Sequence, residues 1–141
     1  MTLKEIFDAF NELALKQPSI SEIIKSGNIY DLNGMRNAKY AVFCAVQDTH
    51  SLDVENSVMN YRFFLYYVDR LSSDKDNKID VQSTAINTLT NIIRVFADKY
   101  DAEVLSVDFN PFTDSFDGLG AGAYATINLS VFIDGCKEDF E

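Results

Sequence analysis

The chain contains few residues of the kinds that build hydrolase and metal sites. Among 141 residues, His50 is the single histidine, and Cys44 and Cys136 are the two cysteines. Two distant cysteines are too few for a disulfide framework, which favours free thiols in a reducing compartment. One histidine without a nucleophile motif excludes the common hydrolase signatures and any Cys/His metal spacing. We therefore predict no enzyme activity, no catalytic residue, no metal and no cofactor.

Basic residues are also scarce, since 12 Lys and Arg stand against 22 Asp and Glu, for a formal net charge of −10. A general nucleic-acid binder usually shows a basic patch, so this balance argues against that class. No apolar run approaches the ~18 residues of a transmembrane helix. The opening residues, MTLKEIFDAF, lack the apolar core of a signal peptide. We therefore expect no membrane partner.

The chain is rich in apolar residues, which make up 47% of it, and it has 18 aromatic residues. A chain of this length can bury a core without disulfide or metal support. We expect a single domain over residues 1–141, with an acidic tail at about 134–141. Residues 101–141 hold nine acids and a single base, Lys137.

Two segments have helical periodicity. Thr2 and Glu5 have the spacing of a capping box, and an apolar stripe at helical spacing follows until Pro18 ends the helix. Asp80 is the predicted N-cap of a second helix, at about 81–100. A short turn is possible at 21–25.

The remaining segments alternate with the period of a strand. Strand-forming residues occupy 40–47, 58–71, 103–109 and 121–133, and Ile29, Tyr30 and Leu32 could form a short edge strand. The polar link 48–57 is long for a tight hairpin, which suits a protruding β-arm. The predicted fold is α+β, in the order α-β-β-α-β-β. An antiparallel sheet of four to five strands would carry both amphipathic helices on one face.

Two segments resemble ligand-binding loops but lack a feature that such loops need. The acidic run at 74–80 lacks the glycine and the glutamate that a calcium loop needs, because Ile79 and Ala85 stand at those positions. The glycine-rich stretch 118–122 precedes a strand, whereas phosphate loops precede a helix. We interpret its glycines as allowing a bend or bulge where the last strand begins.

The strand at 58–71 carries aromatic residues on both faces, which exceeds what a half-exposed sheet needs. The plain interpretation is a core strand. The alternative is that the second face is buried against another subunit.

The segment Asn110-Pro111-Phe112-Thr113-Asp114-Ser115-Phe116-Asp117 is followed by Leu119, by Ala121-Gly122 and by the alternating strand 125–131. This pattern resembles the PFTDRF…LAGW segment of neck and tail-completion proteins from phages that infect Bacteroidetes. The strands around 40–43 and 61–70 add to the resemblance, which covers about residues 1–133. Ala123-Tyr124 stands where that family often has a tryptophan.

The resemblance implies a tail-terminator-like or head–tail joining subunit that assembles into a ring around the channel for DNA. Its partners would be further copies of itself and neighbouring neck, tail and portal proteins, with genomic DNA passing unbound. It would be made in the bacterial host cytoplasm and reside in the virion. Candidate subunit-interface residues are Asp48, His50, Asp53, Asn110, Pro111, Phe112 and Phe116. Candidate acids facing the lumen or a partner are Asp114, Asp117, Glu138, Asp139 and Glu141.

Two other interpretations remain open at this point. A soluble acidic adaptor or inhibitor could bind a basic protein through the same charge excess. A metal-dependent or small-molecule-binding enzyme is a third hypothesis, for which the sequence offers no site.

Overall fold

The first helix, α1 (Leu3–Leu15), begins at the predicted capping box. In this computed structural model, which describes residues 1–35, 37–116 and 120–133, the Thr2 hydroxyl accepts a hydrogen bond from the Glu5 N–H at 3.2 Å. Glu5 Oε1 accepts one from the Thr2 N–H at 2.9 Å. These bonds lower the pKa of Glu5 and satisfy two backbone donors at the start of the helix.

The second helix, α2 (Lys78–Lys99), begins earlier than expected, and the prediction of Asp80 as its N-cap was wrong. Asn77 occupies the N-cap position, while Asp80 lies in the first turn. The Asn77 side-chain oxygen accepts a hydrogen bond from the Ser72 N–H at 2.8 Å. This bond closes the polar loop that precedes the helix.

In the described part of the chain, six strands form one mixed sheet: β1 (Glu22–Ile23), β2 (Val42–Gln47), β3 (Ser51–Asp53), β4 (Val58–Arg70), β5 (Glu103–Ser115) and β6 (Gly120–Phe132). Their order is β1-β2-β4-β6-β5, and β3 also pairs with β4. β1 runs parallel to β2, and every other pair is antiparallel. The α+β class is confirmed. The expected antiparallel sheet of four to five strands was wrong in strand number, strand direction and element order.

The missed elements are too short to produce a periodic pattern. β1 has two residues and β3 has three. A 3₁₀ helix (Ile29–Gly34) stands where a short edge strand was expected. Residues i and i+3 eclipse in a 3₁₀ helix, so Ile29 and Leu32 face the sheet together and both are 3% exposed.

Both α-helices cover the same face of the sheet and build the main core with it. Phe10 of α1 stacks on Phe96 of α2 at a ring-centroid distance of 4.4 Å, and it meets Phe63 of β4 edge-on at 5.8 Å. Leu89 and Ile92 of α2 are fully buried. The three-way aromatic contact joins the two helices to the central strand.

β4 and β6 approach closely at Gly122. A Cβ atom added there would lie 1.9 Å from the carbonyl oxygen of Tyr67. The paired strand, β5, shifts register between Phe112 and Ser115, which lie opposite Gly122 and Gly120. Gly120 and Gly122 therefore lie at the start of β6, where the backbone of β4 approaches closely and where β5 shifts register.

Candidate interaction surface

The face of the sheet opposite the α-helices is covered over only part of its area. Ile24, Ile29 and Leu32 pack against Val42, Cys44 and Val68, and together they form a second, smaller core. This core covers the β2 side of the sheet. The face toward β6 and β5 carries no helix in the described part of the chain.

Six aromatic side chains lie on and beside this open face, and we call them the aromatic surface: Tyr30, Phe64, Tyr66, Phe112, Phe116 and Tyr124. Their rings form one continuous chain. Starting from Phe64, successive ring centroids are 5.8, 5.0, 6.2, 5.8 and 6.4 Å apart, in the order Phe64, Tyr124, Tyr66, Phe112, Phe116, Tyr30. Tyr30 is 70% exposed, and the other five are partly exposed.

Strand register explains how these rings meet. Tyr66 of β4 and Tyr124 of β6 are directly paired residues, so their side chains lie side by side on one face. Phe112 of β5 pairs with Gly122, which has no side chain, so the Phe112 ring can reach toward Tyr66. Phe116 adopts a φ of +56°, which is costly for a bulky residue. That backbone conformation accompanies its contact with Phe112.

The aromatic surface differs in charge from the acidic remainder of the chain. None of the six residues is an aspartate, glutamate, lysine or arginine. Burial is the main cause of the raised pKa of Tyr66. The neighbouring phenols of Tyr124 and Tyr30 raise this pKa further. Two neighbouring tyrosines of the aromatic surface therefore contribute to the electrostatic environment of the Tyr66 hydroxyl. At its other end, the guanidinium of Arg62 lies 6.0 Å from the centroid of the Phe64 ring.

Some candidate residues of the 110–116 segment belong to the aromatic surface, and the others lie outside it. Phe112 and Phe116 belong to the aromatic surface. Asn110 and Pro111 are exposed on β5. Asp114 forms an ion pair with Lys75, whose hydrogen bond lowers the pKa of that carboxyl. Part of the Asp114 charge is therefore offset within the chain itself.

The three candidates of the 48–57 link have local partners. Asp48 forms an ion pair with Arg62 at 3.3 Å. His50 Nδ1 accepts a hydrogen bond from the Arg62 N–H at 3.3 Å. Asp53 accepts hydrogen bonds from Asn56 in the turn, which lower the pKa of Asp53.

These contacts fold the link back onto the sheet. β3, within the link, pairs with Val58, Met59 and Asn60 of β4, and β4 continues to pair with β6 there. The expectation of a protruding arm was therefore wrong. The 48–57 link is hydrogen-bonded to β4 at Arg62. Phe112 pairs with Gly122, which in turn pairs with Val68, six residues further along β4. The structure thus does not bring the two candidate groups together.

Asp117, Glu138, Asp139 and Glu141 lie outside the described residues. The sequence analysis does not predict four members of the aromatic surface: Tyr30, Phe64, Tyr66 and Tyr124. Strand alternation places Phe64 and Tyr66 on the second face of β4, but joining them to Tyr124 and Phe112 requires the strand order. No sequence signal pointed to Tyr30.

The outer side of β5 is the long free edge of the sheet, because no described strand pairs with it. Three features disfavour strand addition there. Pro111 lacks an N–H donor, and register shifts interrupt the strand at Val104–Ser106 and at Phe112–Ser115. A protein contact at this end of the sheet is therefore favoured on the open face and disfavoured at the edge.

Within residues 1–35, 37–116 and 120–133, no group of three or more His, Cys, Asp or Glu side chains is placed to hold a metal ion. No helix in the described part of the chain is long and apolar enough to span a membrane. A scan against protein-family models gives no match, and a search of curated proteins gives none.

Proposed function

We propose that the chain is a structural virion protein of a phage neck or tail, forming a homo-oligomeric ring around the DNA channel that joins or completes head and tail. The observation that carries this proposal is the aromatic surface, whose six rings are left partly open by the chain's own helices. A ring contact is heterologous, so a patch on one subunit meets a different patch on the next. Aromatic residues are enriched in such contacts.

The resemblance of the 110–117 segment to phage neck and tail-completion proteins supports the same proposal. Phe112 and Phe116 carry part of that motif, and both lie in the aromatic surface. The proposed partners are further copies of the chain and neighbouring portal, neck and tail proteins. The proposed role is not enzymatic, and the protein would be made in the host cytoplasm and incorporated into the virion.

The acidic second half of the chain suits the wall of a DNA channel. Like charge keeps phosphates from adhering, so DNA could pass without specific binding. Part of the negative charge of Asp114, one of the candidate lumen acids, is offset because Lys75 pairs with it. A ring reconstruction with a basic lining would contradict this part of the proposal.

Oligomeric state tests the ring directly. We expect the purified protein to give a ring by light scattering after gel filtration and by negative-stain imaging. Phe64→Ser should reduce its mass, because that side chain belongs to the aromatic surface. Phe132→Ser is the matched control, since Phe132 is 76% exposed and lies outside that surface. A persistent monomer that is also absent from purified virions encoding it would refute the proposal.

An acidic adaptor or inhibitor that binds a basic protein is the second candidate, and the nine acids among residues 101–141 favour it. It predicts a monomer whose binding to a basic partner weakens steeply with added salt, because exposed charges are screened. Ring formation without that partner would argue against it.

A further inference from the structure

A cavity of about 350 Å³ opens between the 3₁₀ helix and the adjoining parts of β4, β5 and β6. Its lining consists of Ile29, Tyr30, Asn33, Tyr66, Phe112, Ser115, Phe116 and Tyr124. Five of these eight residues belong to the aromatic surface. We call this space the aromatic cavity. Its size is near the lower end for ligand pockets, and it suits a single side chain.

The rings around the aromatic cavity lie in different planes. Tyr66 and Tyr124 are inclined by 30°, Tyr66 and Phe112 by 51°, and Phe112 and Phe116 by 79°. Rings in such different planes cannot form one flat stack, and they surround a shared space. The face of each ring carries negative potential, which attracts a cation placed over it.

Among residues 1–35, 37–116 and 120–133, no side chain that lines the cavity is basic. On the β5 side, Lys75 is paired with Asp114, and Lys78 also acts on that carboxyl. On the other side, Asp31 follows Tyr30 in the 3₁₀ helix, and its carboxylate accepts a hydrogen bond from the Ser26 hydroxyl. A cation would therefore enter without displacing a basic side chain of the lining.

Polar atoms in the lining suit a cation that donates hydrogen bonds. The hydroxyls of Tyr30, Tyr66 and Tyr124 can each accept a hydrogen bond, and Asn33 adds a side-chain carbonyl. Arginine and lysine combine a cationic head with several N–H donors and an apolar stem. A neutral side chain of similar shape would lose the attraction to the ring faces.

We infer that the aromatic cavity binds an arginine or lysine side chain presented by a basic segment of a partner protein. The partner is expected to be a neighbouring neck or tail protein that presents a basic segment, because this chain holds only 12 Lys and Arg against 22 Asp and Glu. The inference deepens the proposed function and rests on it, since it names the chemistry by which a neck or tail neighbour meets the open face.

The test uses two short peptides that differ only in having arginine or citrulline, its neutral isostere, at one position. Binding to the full chain is followed by the NMR signals of the tyrosine and phenylalanine rings. We expect the arginine peptide to bind about tenfold more tightly, with shifts at Tyr66 and Tyr124. Equal affinity of the two peptides would overturn the inference.

Variants separate the cavity from general charge attraction. Phe116→Leu and Tyr124→Leu keep the chain's charge and should each weaken arginine binding about fivefold. Phe64→Leu is the matched control, because Phe64 belongs to the aromatic surface but does not line the cavity. Circular dichroism shows whether each variant is folded. If Tyr124→Leu is unfolded, the binding of the arginine peptide to Phe116→Leu is the deciding measurement. Unchanged binding in a folded Phe116→Leu variant would overturn the inference.

The two proposals can fail separately. Arginine binding by a chain that never forms a ring and is absent from virions would remove the proposed function and keep the cation site. Ring assembly with equal binding of the arginine and citrulline peptides would remove the cation site alone.

Discussion

Replacing Gly122 with alanine tests the close approach of β4 and β6. The added Cβ would lie 1.9 Å from the Tyr67 carbonyl oxygen, about 1.5 Å short of the 3.4 Å at which ordinary contact begins. The obstacle is backbone, so no side-chain rotation can relieve the clash. The paired residues Gly122 and Val68 must therefore move apart.

The energetic cost follows from what that movement disturbs. Each ladder hydrogen bond contributes about 0.5–1.5 kcal/mol net, and the separation weakens those next to the clash. Ala121 and Ala123 are fully buried on either side and must move with it. We expect Gly122→Ala to lower the free energy of unfolding by about 3 kcal/mol, and the melting temperature by about 10 °C.

Urea unfolding followed by far-ultraviolet circular dichroism measures this cost, and calorimetry gives the melting temperature. Gly34→Ala is the matched control, because a Cβ added at Gly34 would have no atom within 4 Å. The control should remain within about 0.5 kcal/mol of the parent chain. A Gly122→Ala protein as stable as the Gly34→Ala protein would show that the β4–β6 approach is wrongly described.

Three further predictions concern the helices and the buried thiol. Leu89→Ala should lower the free energy of unfolding in urea by about 2–5 kcal/mol, because Leu89 is fully buried. Val95→Ala is the control, since Val95 is 43% exposed, and it should change that free energy by about 0.5 kcal/mol at most. Thr2→Ala removes the N-cap and should cost about 0.5–2 kcal/mol by the same measurement, and an unchanged midpoint would argue against the capping box. Burial, and secondarily Asp31, raises the pKa of Cys44 to about 12, so a thiol reagent at pH 8 should label a Cys136→Ser protein only after unfolding. Because that pKa is above the ordinary 9.0, the contribution of Cys44 to stability is complete below about pH 9 and is lost as pH rises toward 12.

The sequence predicted those parts of the fold in which a local signal repeats. The capping box at Thr2, the apolar stripe of α2 and the alternation of β6 each extend over several residues, and the structure contains all three. β1 and β3 are set by pairing with distant strands, so two or three residues carry no readable pattern. The aromatic surface depends on the order β4-β6-β5, which is a property of the assembled sheet. Phe112 and Phe116 were found through their motif, whereas Tyr30 could be found only from the structure.

The interrupted edge of β5 has a consequence for the period before assembly. Under the proposed function, free subunits would accumulate in a crowded cell before they assemble, and a long uninterrupted edge strand would favour irreversible stacking into fibres. Pro111 and the two register shifts disfavour such stacking at β5. The proposed association through side chains on the open face would leave every backbone ladder intact, so a wrongly placed subunit could dissociate. Such reversibility allows an assembly to correct its own errors.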